Sequence, residues 1–264
     1  MTKQIKELLS LSGKTSIVTG GHGHIGTAIS ECLAELGSEV IILGKRKDEG
    51  EKLAENLSST YNVPVTFNEV DINSKKSIER FFEKINKLDI LVNNAFTWPS
   101  IVKFEETSWE DFENTIQSGI TSPFYISKKA VEIMKLQNKG KIINIGSMYG
   151  IVSPNFKIYH DMPKMGNAIS YGASKAALIQ MTRYLAVYCS KWKINVNCIS
   201  PGPFPKPHTF DDKEWFREEL LEMNPLHKLG EPWELKGAIA LFATDLASYI
   251  TGQNLSVDGG WTIW

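Results

Sequence analysis

Tyr171 and Lys175 stand four residues apart in the segment Tyr-Gly-Ala-Ser-Lys. Residues at that spacing share one face of a helix, so both side chains can reach the same cleft. A free phenol has a pKa of about 10 and is scarcely ionised near neutrality. An ammonium beside it favours the phenolate, which suits the tyrosine to act as general acid in one direction and general base in the other. Ser147 ends the run Lys-Ile-Ile-Asn-Ile-Gly-Ser and can hydrogen-bond the same oxygen as negative charge develops on it. A tyrosine and a lysine four apart are common and usually structural. The set gains force only from its order and spacing relative to other motifs.

The first of those motifs is a phosphate cradle. Thr19-Gly20-Gly21-His22-Gly23-His24-Ile25-Gly26 follows a short apolar run and opens a helical pattern. Glycines in that context let the backbone turn sharply and approach a pyrophosphate, whose charge sits on the helix N-terminus. The G-x-G-x-x-G spacing of Gly21, Gly23 and Gly26 is weak alone and informative between a strand and a helix. Gly20, Gly23 and Ile25 are expected at the cofactor, and His22 and His24 can donate to phosphate or face solvent. The second apolar run ends at Gly44-Lys45-Arg46. Sites for NAD(H) usually place a carboxylate there for the ribose 2′-hydroxyl. Two cations instead attract a 2′-phosphate, so NADP(H) is favoured, with NAD(H) the alternative.

These residues must be held by strands and helices that alternate. Thr15–Thr19, Glu39–Leu43, Val65–Val70, Asp89–Val92, Lys141–Ile145, Ile194–Ile199 and Asn254–Val257 read as strands. Ile25–Leu36, Lys47–Ser59, Ser74–Asn86, Trp109–Leu136 in one or two segments, Tyr171–Lys191 and Glu231–Thr244 read as helices. Such alternation predicts an α/β fold: a single Rossmann-type domain with a doubly wound parallel sheet and helices on both faces. The domain is expected over 13–264, after an N-terminal extension over 1–12. Gly150–Ser170 and Pro201–Asp212 lack periodicity. Loops of that length usually form lids or pocket walls.

Composition excludes several classes. The 264 residues carry a formal net charge of −1, which offers nothing to nucleic acid or an anionic membrane. Cys32, Cys189 and Cys198 lie far apart, with no metal-ligand spacing, so neither a metal site nor a disulfide framework is expected. Met1–Gly13 lacks the apolar core of a signal peptide, and no stretch reaches the roughly 18 apolar residues that span a bilayer. A cytoplasmic protein with a small-molecule substrate, and neither a nucleic-acid nor a membrane partner, is the expectation.

Taken in order, the motifs resemble the short-chain dehydrogenase/reductase family from about Gly13 to Trp264. The glycine turn is followed by Asp71 after the third strand and by Asn93-Asn94-Ala95 after the fourth. Then come Ser147, Tyr171 with Lys175, Asn197 with Ile199-Ser200-Pro201-Gly202, and Gly252-Gln253 with Val257-Asp258-Gly259-Gly260. The resemblance implies an oxidoreductase that interconverts a carbonyl and a secondary alcohol by hydride transfer, with Ser147, Tyr171 and Lys175 catalytic. It implies that Asp71 and Ile72 flank the adenine and that Asn93 and Ala95 line the cofactor. Tyr171 and Lys175 then reach the nicotinamide ribose, and Pro201 and Gly202 lie against the nicotinamide. It also implies a homotetramer or homodimer built through the two long helices, although core packing explains their apolar stripes equally well.

The chain departs from the family pattern in four places. His24 replaces the middle glycine of the compact members' T-G-x-x-x-G-x-G, and Gly20, Gly23 and Gly26 instead match the sugar-nucleotide-modifying branch. Phe96 stands where glycine is usual. Alignment on Ile120-Thr121-Ser122-Pro123-Phe124 places Gly119 at the usual catalytic asparagine, so the proton relay must differ. Ser147 and Tyr171 are 24 positions apart rather than about a dozen. The insert adds Lys157, Tyr159, His160 and Lys164. Tyr159 has no lysine four residues on, which leaves Tyr171 as the catalytic tyrosine.

Phe96, Trp98, Tyr159, His160 and Phe204 are the expected substrate contacts. With Lys157, Lys206 and His208 they suit a sugar, sugar acid or nucleotide-linked sugar. The glycine turn, the insert and the Ser-Pro-Gly-Pro-Phe-Pro run are similar to oxidoreductases of surface-polysaccharide and nonulosonic-acid pathways and, more distantly, to gluconate 5-dehydrogenases. Three alternatives stay open: a reductase of 3-oxoacyl or other ketones, a sugar-nucleotide epimerase or dehydratase, and a non-catalytic NADP-binding sensor.

Overall fold

Near-continuous Val, Ile and Leu runs become strands here because each is covered on both faces, where branched side chains pack well on a pleated surface. The computed structural model describes residues 3–100, 103–159, 167–211 and 213–264, so His160 and Lys164 lie outside the described residues. The strands are β1 (Thr15–Thr19), β2 (Glu39–Gly44), β3 (Val65–Glu69), β4 (Ile90–Asn93), β5 (Gly140–Ile145), β6 (Ile194–Pro201) and β7 (Asn254–Val257). Among the described residues they form one parallel seven-stranded sheet in the order β3-β2-β1-β4-β5-β6-β7. Val18 pairs with Ile42 on one side and Val92 on the other, which fixes the register at the centre.

The helices are α1 (Ile5–Leu9), α2 (His24–Glu35), α3 (Lys47–Tyr61), α4 (Lys75–Phe82), α5 (Trp109–Ile116), α6 (Ser122–Gln137), α7 (Ile169–Cys189), α8 (Glu214–Glu222) and α9 (Lys236–Ala243). Successive strand residues point to opposite faces, so the sheet carries two separate cores. On one face Val18, Ile42, Val92 and Ile143 pack under Ile29 and Leu33 of α2, Leu57 of α3 and Phe242 of α9. On the other, Ile17, Leu43, Leu91 and Ile142 pack under Phe81 of α4, Ile126 and Met134 of α6 and Cys189 of α7. The result is the expected single doubly wound domain. After β3 the chain returns past β1 to build β4, so the strand order reverses between β1 and β4. Crevices of this kind, at the carboxyl ends of the strands, are where open parallel sheets bind ligands.

Local structure departs from expectation where periodicity is a poor guide. Trp109–Leu136, expected as one or two helical segments, is two, joined by an unforeseen π turn, Gln117–Thr121, that carries Gly119. The helix expected over 74–86 stops at Phe82, and the one over 231–244 begins as a tight 3₁₀ turn, Pro232–Leu235. Two helices were not expected. α1 has no buried residue and hence no apolar stripe to read. α8 buries Phe216 and Leu220, spaced four apart. A third apolar cluster joins α8 to the insert through Met148, Tyr149, Ile158, Tyr159, Phe216, Leu220 and Trp261. No helix among the described residues is long and apolar enough to cross a membrane, and no metal-ligand cluster occurs among them.

Candidate active site

The glycine turn is locked from beneath by β4. Thr19 Oγ1 accepts from the backbone N–H groups of Asn94 (2.9 Å) and Ala95 (3.0 Å). Asn94 Nδ2 donates to the carbonyls of Thr19 (2.9 Å) and Gly20 (3.1 Å). Gly20 takes φ of +62°, a region that favours glycine, and a Cβ at Gly26 would collide with the Gly20 carbonyl. Gly23 caps α2 without any side-chain hydrogen bond, leaving the first N–H groups of the helix for an anion.

Two histidines carry polar atoms that this cradle leaves unpaired. Nδ1 of His22 and Nε2 of His24 are buried and have no hydrogen-bond partner. The His22 ring lies over Gly44, where a Cβ would collide with it, and meets Phe67 edge-on at 5.7 Å. Burial, and then the Arg46 guanidinium, push the His22 pKa down. Lys45 and Arg46 are exposed at the rim, and Arg46 pairs with Glu49. A turn whose four glycines let the backbone be approached closely, an uncapped helix N-terminus and unpaired imidazole nitrogens fit a phosphate-bearing dinucleotide.

A cavity of about 750 Å³ runs from this cradle along the strand ends. Gly20, His22, Gly23, His24, Ile25, Lys45, Arg46, Ile72, Ala95, Pro201 and Gly202 line one part of it. Ser147, Tyr171 and Lys175 line its centre, with Phe96, Trp98, Tyr159 and Phe204 around them. Two predicted cofactor residues do not reach it. The Asp71 carboxylate turns back to accept the Asn73 N–H at 3.0 Å, a common use of aspartate in turns. Asn93 lies beneath the floor, its amide donating to Asn144 Oδ1 (2.8 Å) and Ser127 Oγ (2.9 Å). Asn94 takes the lining position instead.

Tyr171 and Lys175 sit near the start of α7, on the face expected from their spacing. The Tyr171 ring stacks on Trp98 at 5.0 Å and meets the edge of Phe96 at 5.1 Å. Ser147 lies beside its phenol and partly offsets the effect of burial on it. Lys175 is 5% exposed, donates to the Ile145 carbonyl at 2.8 Å and lies 4.9 Å from the centre of the Phe96 ring. The expectation of an acidified phenol is corrected here. Burial pushes Tyr171 up, opposed in part by Ser147, and the same burial lowers Lys175 to about 8. Burial disfavours the charged form of each group, yet Lys175 stays protonated below about pH 8.

Gly119 has a steric reason. A Cβ there would lie 2.5 Å from Ser174 Cβ and 3.2 Å from Cε2 of Phe96. The aromatic ring and the glycine therefore depend on each other, and the π turn brings α5 close against α7.

The loops supply walls, as expected, but not the cations that suggested a polar substrate. Lys206 lines the rim, whereas Lys157 and His208 are absent from the lining. His208 is exposed and 3.4 Å from Asp211. Tyr149, Asn167, Phe216 and Leu220 also line the cavity and were not singled out from sequence. For Phe216 and Leu220 the signal was available, a four-residue apolar spacing within a charged segment.

A family model described as enoyl-(acyl carrier protein) reductase matches residues 21–262. The 3-oxoacyl-acyl-carrier-protein reductase FabG of Rickettsia felis is 35% identical over 253 residues, covering 96% of this chain and 98% of that protein. The NADPH-dependent 3-quinuclidinone reductase of Rhodotorula rubra superposes with a TM-score of 0.90 at 26% identity, over 100% of this chain and 97% of that one. Pseudomonas aeruginosa RhlG, in an NADP active-site complex, does so with a TM-score of 0.86 at 30% identity, over 97% and 99% of the two chains. The chain belongs to the short-chain dehydrogenase/reductase family of NAD(P)-dependent oxidoreductases.

Proposed function

We propose that this protein transfers a hydride between NADP(H) and a substrate carbon that alternates between ketone and secondary alcohol. One observation carries this reading: Ser147, Tyr171 and Lys175 converge on a cavity whose far end is a phosphate cradle rimmed by Lys45 and Arg46. The turn at Gly20–Gly26 with the α2 N-terminus would hold the pyrophosphate, and His22, Lys45 and Arg46 the 2′-phosphate. Ile72 would face the adenine, and Ala95, Pro201 and Gly202 the nicotinamide. When bound, the cofactor supplies the hydride and, once oxidised, a positive ring charge.

The chain's own groups do the rest. Tyr171 gives its phenolic proton to the substrate oxygen during reduction and takes it back during oxidation. Ser147 donates to the same oxygen as charge builds on it. Lys175 lies 5.8 Å from the centre of the Tyr171 ring and opposes the burial that otherwise keeps the phenol protonated. Phe96 and Trp98 exclude water from two sides of the tyrosine ring.

The walls favour a ketone with an apolar body, since Met148, Phe204, Phe216 and Leu220 all face the cavity. A sugar-related substrate is the second reading, supported by Lys206 at the rim and by Asn167, whose buried Oδ1 has no partner. The protein acts in the cytoplasm as a homodimer or homotetramer. That assembly is supported by the outward apolar residues of α6 and α7, among them Phe124, Tyr184 and Val187. The test is Tyr171→Phe, assayed with NADPH on a ketone and sugar panel. Turnover is expected to fall at least 100-fold, the lower end for a lost general acid, with NADPH affinity within about threefold of wild type. Equal loss of binding and turnover would assign the tyrosine a structural role.

A further inference from the structure

Tyr149 and Tyr159 reach the cavity from different segments, and their hydroxyls meet at 2.8 Å. Both residues are buried, 9% and 7% exposed. A hydroxyl pair has two O–H hydrogens and spends only one on its mutual bond. The other has no hydrogen-bond partner among the described residues, and a buried donor left in that state is costly. Burial pushes both phenols up, so both remain neutral donors through the ordinary pH range. Among the described residues, what the pair lacks is an acceptor.

The pair also adjoins the reacting oxygen. Tyr149 follows Ser147 by two residues, and its N–H donates to Ser147 Oγ at 3.1 Å. Tyr171 pushes the Tyr149 phenol up, and Tyr159 does the same to Tyr171, which fits phenols gathered at one wall. Around the pair the surface is carbon. Phe216 lies 5.6 Å from the Tyr159 ring, and Met148 and Leu220 complete the same cluster. Further hydroxyl groups on a ligand would lose their hydrogen bonds to water against these walls.

We infer that Tyr149 and Tyr159 form a specificity subsite for a second oxygen on the substrate. The site takes a ketone whose ester or thioester carbonyl lies a few atoms from the reacting carbonyl, on an otherwise apolar chain. This rests on the Tyr171 reading above. Ser147 and Tyr171 hold the oxygen that is reduced, and the tyrosine pair holds the one that is not. The second contact fixes which face of the ketone meets the cofactor side of the cavity.

The experiment compares Tyr149→Phe, Tyr159→Phe and the double variant with wild type on two ketones of equal chain length, ethyl 3-oxobutanoate and 2-heptanone. Each variant is judged by its ratio to wild type, which removes the difference in intrinsic reactivity. For the keto ester, kcat/KM is expected to fall roughly 3- to 10-fold in each single variant, the worth of one neutral hydrogen bond, mostly through KM. For 2-heptanone the change is expected to stay within about twofold. The double variant should lose little more than the worse single one, because one shared network is removed. Equal losses on both ketones overturn the inference in favour of a structural role, as does an unchanged keto ester or wild-type reduction confined to ketones without a second oxygen. Wild-type turnover of no carbonyl at all, or full turnover by Tyr171→Phe, would instead overturn the proposed function itself.

Discussion

Gly119→Ala sets two effects of opposite sign against each other. Helix propensity alone favours alanine over glycine by about 1 kcal/mol. The added Cβ, however, would lie 2.5 Å from Ser174 Cβ, an atom fixed to the backbone of α7, and close on the Ser174 hydroxyl. That hydroxyl already donates to the Tyr171 carbonyl at 2.8 Å, so it cannot rotate away without loss. Relief requires α5 and α7 to separate, and overpacking of this kind costs about 1–3 kcal/mol. Because the contact is with an immobile atom, the upper half of that range applies, and the net effect is a destabilisation of about 1–2 kcal/mol. For a domain of this size that lowers Tm by roughly 2–8 °C. Urea and thermal unfolding at pH 7 read it directly. Ser174→Gly removes the opposing Cβ, so it should cost about 1 kcal/mol alone and much less on the Gly119→Ala background. Activity should fall with stability, because Lys175 follows Ser174 on the displaced helix. A Gly119→Ala protein as stable as wild type would refute the reasoning, since α7 would then yield freely.

Two further perturbations probe the charges. Lys45→Ala with Arg46→Ala should weaken NADPH binding by about 10- to 100-fold, an exposed pair being worth less than buried contacts, while NADH affinity moves by less than about threefold. Fluorescence titration measures both, and tighter wild-type binding of NADH than of NADPH would sink the charge argument. Lys175→Met should abolish turnover yet raise Tm at pH 7. The folded-state pKa of Lys175, about 8, lies below its ordinary 10.5. The cost of burying its charge is therefore felt below pH 8 and fades as pH rises towards 10.5. The stability gain should accordingly shrink by pH 9.5, and a Tm below wild type at pH 7 would contradict it. Lys141 is lowered to about 8 by the same cause, but it lies far along β5 and bonds Asn195 Oδ1 at 2.9 Å. Lys141→Met should leave turnover unchanged.

Sequence alone determined the sheet, because strands buried on both faces must be apolar almost throughout and helices between them must be amphipathic. It also made the glycine turn and the Tyr171–Lys175 pair legible, since each motif falls within eight residues of chain. What lies between distant segments was decided only by the tertiary structure. Asn93 and Asn94 are adjacent in sequence, and nothing local says that the first points beneath the floor towards Asn144 while the second faces the cavity. The fit of Gly119 to Phe96 and Ser174 spans three elements, as does the meeting of Tyr149 with Tyr159 beside α8. The proton affinities were decided there too. A lysine four residues from a tyrosine predicts an acidic phenol in water, but burial beside Phe96 and Ile145 penalises the charged form of both groups. Dehydration then outweighs the nearby charge, because the cost of burying an ion grows faster than the attraction that one neighbour returns.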